Sequence, residues 1–141
     1  MTTPIAVDSF DHLTLICGDL AATRAFYGDW LGLPEVPRPA FDFRGLWYQV
    51  GAQQVHVILA DDSPAPAGPN LTDAQRTSRA HHFAFRLPSA NDVHAAAESA
   101  GERGIEIVSG PKRRPDGAAQ LFVADPDGFT VELCSAPPAG G

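Results

Sequence analysis

Between Ser9 and Cys17 the side chains alternate in a period of two, which predicts a strand with Phe10, His12, Thr14 and Ile16 on one face and Leu13, Leu15 and Cys17 on the other. Gly18 ends this run. Asp19 is placed to cap a helix in which Ala22, Phe26, Trp30 and Leu33 recur at helical spacing, and Gly32 with Pro34 closes it. An irregular Pro-rich piece around 34–39 follows, then a strand near 43–50, a turn at Gly51-Ala52 and a strand over 53–59, so the first module reads β-α-β-β-β. Residues 61–79, rich in Pro, Asp and Ala, lack strand periodicity and read as a linker, with Arg76 and Arg79 as solvated loop arginines.

The pattern then begins again. His82, Ala84 and Arg86 oppose Phe83, Phe85 and Leu87; Ser89 caps a helix carrying Val93, Ala97 and Ala100; Gly101 and Gly104 close it; and a short strand spans 105–108. Gly110-Pro111 and the loop Lys112-Arg113-Arg114 precede a closing hairpin, in which Asp125-Pro126-Asp127-Gly128 reverses the chain between two β-type runs. The repeat holds residue by residue. His82 answers His12 seventy positions on, Leu121-Phe122 answers Leu46-Trp47, and Val131-Glu132-Leu133 answers Val55-His56-Val57, the drift between offsets falling in loops. The modules are 8–60 and 80–135, joined by 61–79 within one domain and followed by a tail, 136–141.

Composition narrows the partners. A formal charge of -7 with one short basic cluster disfavours nucleic acid, which requires many phosphate contacts, and leaves a small-molecule ligand as the expectation. No uninterrupted apolar stretch could span a bilayer and no signal-like N-terminus is present, so a cytoplasmic protein is expected. Cys17 and Cys134 lie in strand patterns without CxxC spacing and read as reduced core thiols.

Glu132 is the anomaly. A carboxylate in the middle of an apolar strand is costly to desolvate unless a positive group meets it. The repeat places Glu132 with His12, His56 and His82 at equivalent positions of two modules, each on the face opposite the residues that pack under a helix. One histidine on a strand is more often a hydrogen-bonded polar residue than a ligand, but four such groups related by a repeat suit a divalent ion such as Zn, Fe, Ni, Co or Mn, with positions left open for substrate. Glu132 doubles as the expected catalytic base. Thr14, Trp47 and Phe122 are the candidate substrate contacts, although core is the default reading for the two aromatics. His81 points to the opposite face and His94 lies on a helix; neither belongs to the set.

The run Asp11-His12-Leu13-Thr14-Leu15 through Gly18-Asp19-Leu20, Ala25-Phe26-Tyr27 and Leu31-Gly32, then His82-Phe83-Ala84-Phe85, then Asp125 through Leu133, resembles the vicinal oxygen chelate superfamily. That superfamily includes glyoxalase I, fosfomycin and bleomycin resistance proteins and extradiol dioxygenases. The resemblance implies an α+β fold of two tandem βαβββ modules forming an open cup-shaped mixed sheet, metal ligands on first and last strands, and a homodimer. A glyoxalase-type proton-transfer lyase or isomerase, acting on a substrate that chelates the metal through vicinal oxygens, is the first expectation. An extradiol-type dioxygenase is the second and a non-enzymatic drug-binding protein the third.

Overall fold

The computed structural model describes residues 3–139. The fold is α+β and consists of two βαβββ modules, each with its own four-stranded mixed sheet. The described residues divide into two compact units on either side of the Ala67–Gly68 boundary.

In the first unit the elements are β1 (His12–Cys17), α1 (Leu20–Thr23), β2 (Glu35–Val36), β3 (Gly45–Val50) and β4 (Gln53–Leu59), and the sheet order is β1-β4-β3-β2. Asp19 caps α1 as expected, its carboxylate accepting from the Ala21 amide at 2.8 Å. The helix then widens into a π-helical stretch, Arg24–Trp30, ended by Gly32 in the left-handed region at φ +68°. Widening turns Thr23, Phe26 and Tyr27 into the buried stripe, where spacing alone favoured Ala22, Phe26 and Trp30. Tyr27 meets Tyr48 of β3 with ring centroids 6.2 Å apart, so the helix lies on the face carrying Leu46, Tyr48, Val55 and Val57. The opposite face of the same sheet carries His12, Thr14, Trp47 and His56.

Three expectations need correction in this unit. The first strand begins at His12 rather than Ser9, and Phe10 is 65% exposed. The Pro-rich piece is not wholly irregular: β2 pairs Glu35 with Tyr48 and Val36 with Trp47 before Pro37, which has no amide to donate, ends the ladder. The strand near 43–50 begins only at Gly45.

The second unit contains β5 (His82–Arg86), α2 (Ala90–Glu102), β6 (Ile107–Arg113), β7 (Ala119–Ala124) and β8 (Thr130–Cys134), with sheet order β5-β8-β7-β6. Ser89 caps α2, accepting from the Asp92 amide at 3.2 Å, and Val93 and Ala100 are fully buried from the helix. In the closing turn Asp125 accepts from the amides of Asp127 and Phe129 at 2.9 and 3.0 Å, and Gly128 takes φ +94°. Cys17 and Cys134 are buried thiols.

Here too the sequence reading needs amending. β6 extends through Gly110-Pro111 into the basic cluster by shifting register twice, so Lys112 and Arg113 are strand residues and not a solvated loop. Arg114 forms an ion pair with Asp116 at 2.6 Å. Arg76 is not a solvated loop arginine either, because it is only 19% exposed and bridges Asp73 and Glu106. Among the described residues no helix is long and apolar enough to cross a membrane.

Candidate functional site

Register places the predicted donors. β1 runs parallel to β4 with His12 opposite Gln54 and Thr14 opposite His56. β5 runs parallel to β8 with His82 opposite Thr130 and Ala84 opposite Glu132. Cross-strand partners share a face, so in each unit the last-strand donor sits diagonally beside the first-strand donor, two residues along. The two sheets repeat one local design.

In the first unit the His56 ring is sandwiched. His12 stacks on one side and Trp47 on the other, with both centroid separations 3.9 Å and interplanar angles of 19° and 1°. A relay of amides fixes the His56 tautomer. Gln49 donates through Nε2 to the carbonyls of Gly51 and Gln53, so its Oε1 accepts from Gln54 Nε2 at 2.8 Å. Gln54 Oε1 is then left to accept from His56 Nε2 at 2.8 Å, and the basic nitrogen of His56 is Nδ1. His12 is held differently: Nδ1 donates to the Asp11 carboxylate at 2.7 Å, which leaves the Nε2 lone pair available.

His56 favours its neutral form, chiefly because burial penalises the cation and next because His12 lies alongside; Arg38 adds to this and Asp11 opposes it. The sign follows from linkage. A histidine lowered from its ordinary 6.5 contributes stability that is complete above that pH and is lost as pH falls through the lowered value. In chelator-treated protein the melting temperature should therefore fall as the pH drops below 6.5, and His56→Phe, which keeps the stack, should flatten that decline. Equal slopes for the two proteins would remove His56 as the acid-sensitive group.

In the second unit His82 and Glu132 meet directly, Nε2 to Oε1 at 3.1 Å, and the Glu132 side chain is only 8% exposed. Gln120 donates to the other carboxylate oxygen at 3.2 Å. His82 Nδ1 lies 2.8 Å from the Ala80 carbonyl, which can only accept, so Nδ1 carries a proton. A neutral His82 would then turn a lone pair toward a carboxylate oxygen. That arrangement is relieved only if a proton lies between the two groups or a cation is held by both. Ligand atoms bonded to one first-row ion at about 2.1 Å lie roughly 3 Å apart, so the pair fits two corners of such a site. Phe122, opposite Glu132, meets His82 edge-on at 5.2 Å and carries the Lys112 ammonium over its ring at 5.1 Å.

The donors therefore occur as two pairs, each within its own unit, and within neither unit do three His, Cys, Asp or Glu side chains of the described residues gather around one point. Thr14 is exposed beside His56, Trp47 is half-buried and Phe122 is buried. His81 and His94 are exposed and make no part of either pair. Sequence reasoning missed Asp11, Gln54, Gln120 and Lys112. The three on strands could have been found from their place on the donor face: Gln54 is two residues before His56, Gln120 two before Phe122, and Lys112 pairs with Gln120.

The model of the Glyoxalase/Bleomycin resistance protein/Dioxygenase superfamily matches residues 9–133. The chain belongs to this superfamily. Among curated relatives of this glyoxalase-superfamily chain, Glyoxylase I 4 of Arabidopsis thaliana is 27% identical over 137 residues, covering 94% of this chain and 73% of the relative. A solved glyoxalase/dioxygenase from Nostoc punctiforme superposes with a TM-score of 0.77 at 24% identity, over 98% of this chain and 100% of its own. A lactoylglutathione lyase from Agrobacterium tumefaciens gives 0.66 at 22% identity, over 99% and 100%. At these identities the structural matches establish a shared fold.

Proposed function

We propose that this superfamily member is a metal-dependent enzyme of glyoxalase type, a proton-transfer lyase or isomerase acting on a small substrate with vicinal oxygens. The supporting observation is the His82–Glu132 pair: a buried carboxylate facing an imidazole nitrogen whose partner nitrogen is already committed to a carbonyl. His82 Nε2 and Glu132 Oε1 would hold the ion, with His12 Nε2 as the third donor and His56 as the fourth. When bound, the ion would supply Lewis acidity toward a substrate oxygen.

The remaining chemistry belongs to the chain. Glu132 takes a proton from the substrate carbon beside the carbonyl and returns it to the neighbouring atom, and burial keeps water from intercepting it in transit. Gln120 holds the other carboxylate oxygen, so the proton-accepting oxygen keeps one orientation. Trp47 and Phe122 flank the donors and exclude water, and Thr14 offers a hydroxyl beside His56.

One observation favours the extradiol-type dioxygenase as a second reading. His56 has Nε2 bonded to Gln54 and its ring stacked on both faces, which suits a positioning role and leaves a two-His, one-Glu set. His56→Ala separates the two. A four-ligand enzyme loses metal by about 10-fold or more in affinity, whereas a three-ligand enzyme keeps full occupancy. Zinc-, nickel- or cobalt-reconstituted protein should convert 2-oxoaldehyde thiol adducts. Turnover only with iron, accompanied by oxygen uptake on catechols, would replace the first reading with the second.

A twofold pair of chains is part of the proposal. Within their own units β1 and β5 are hydrogen-bonded on one side only, and strand edges of this kind are satisfied by pairing. Light scattering should return twice the chain mass; a monomer at micromolar concentration would contradict it.

A further inference from the structure

In the first unit one cation has no counter-charge among the described residues. Arg38 follows β2, and its guanidinium lies over the rings of Phe41 and Phe43, 5.1 and 5.2 Å from their centroids, which stack on each other at 4.8 Å. The side chain is half-buried, and no carboxylate or carbonyl among the described residues accepts a hydrogen bond from it. Its Nε is sealed from solvent without a partner. A guanidinium held this way forgoes charge-assisted hydrogen bonds that both water and a carboxylate would provide.

Its position connects it to the site. Gly45 and Trp47 lie on the same face of β3, and Trp47 is opposite His56. A Cβ at Gly45 would lie 3.3 Å from Arg38 Nη2, so the guanidinium spreads over the backbone at Gly45 on the face that carries Trp47 and His56. Phe41 reaches the same place, with its ring centroid 6.2 Å from that of Trp47. The result is an aromatic-walled face with one fixed guanidinium beside the His12–His56 pair.

We propose that Arg38 is a specificity-determining residue that recognises a carboxylate of the substrate, end-on through Nη1 and Nη2. The inference rests on the proposed substrate face and adds the chemical class of what binds there. One guanidinium fork matches the two oxygens and single charge of a carboxylate. A phosphate dianion would call for a second cation, and the other arginines of this unit, Arg24 and Arg44, are paired with Glu35 and Asp62.

Benzoate, with benzamide as its neutral isostere, tests this in chelator-treated protein, read by quenching of Trp47 fluorescence. Because no metal is present, the outcome is independent of whether the enzyme proposal holds. Benzoate should quench saturably and bind at least about 10-fold more tightly than benzamide, and Arg38→Gln should erase that preference. Arg38→Lys should keep part of it, and Trp47→Phe should remove the signal. Far-ultraviolet circular dichroism identifies any variant that fails to fold; if Arg38→Gln does, loss of the preference at high salt in the wild type takes its place. Equal binding of benzoate and benzamide, or an undiminished preference in Arg38→Gln, overturns the proposal. Tighter Arg38-dependent binding of inorganic phosphate than of benzoate overturns the assignment to a carboxylate.

Discussion

Glu132→Ala should lower divalent-metal affinity by at least about 100-fold and reduce turnover to background. The carboxylate is asked to do two things at one place, hold a cation against His82 and carry a proton, and the alanine removes both. Glu132→Gln is the more instructive variant, since it keeps the shape and the contact with Gln120 but removes the charge and the basic oxygen. It should retain fold and thermal stability near wild type while losing activity by several orders of magnitude. Activity within about 10-fold of wild type in Glu132→Gln would remove Glu132 as the base.

A pair of glycine substitutions should shift stability in opposite directions. A Cβ on Gly45 would collide with the Val57 carbonyl oxygen, a backbone atom one pair in from the end of the β3–β4 ladder, so the strands themselves have to move. Gly45→Ala should cost about 2–3 kcal/mol and lower the melting temperature by roughly 5–15 °C. It should also disturb Arg38, whose Nη2 occupies the same space. Gly101 lies inside α2, and a methyl group added there would meet nothing within 4 Å, so Gly101→Ala should stabilise by about 0.5–1 kcal/mol. Thermal melts of the two proteins, side by side, check both signs.

Where one face of a strand is buried and the other is not, residue order alone identified the fold. The alternation around His12 and His82 and the turn chemistry at Asp125–Gly128 were enough to phase the strands and reveal the repeat, because a one-residue slip would turn every apolar side chain to the wrong face. Register then placed Thr14 opposite His56 and Ala84 opposite Glu132, as a true repeat requires. What stayed hidden has particular causes. β2 is two residues long between prolines, too short to show a period. The π-helical stretch keeps the same apolar residues while rotating which of them face the sheet. β6 absorbs Gly110 and Pro111 in register shifts, where the two residues together read as a stop. The tautomers of His56 and His82 depend on partners two residues away, Gln54 and the Ala80 carbonyl, whose contacts exist only once the strands have paired.

Binding of a divalent ion by the His82–Glu132 pair is measured by calorimetric titration of zinc, nickel and ferrous iron into chelator-treated protein. Uptake of close to one ion per chain is expected. His82→Ala and Glu132→Ala should lose that uptake, and His81→Ala, one residue out of phase and exposed, should keep it. No uptake of any of the three metals by the wild-type protein, or full uptake by His82→Ala, would show that this pair does not hold the ion.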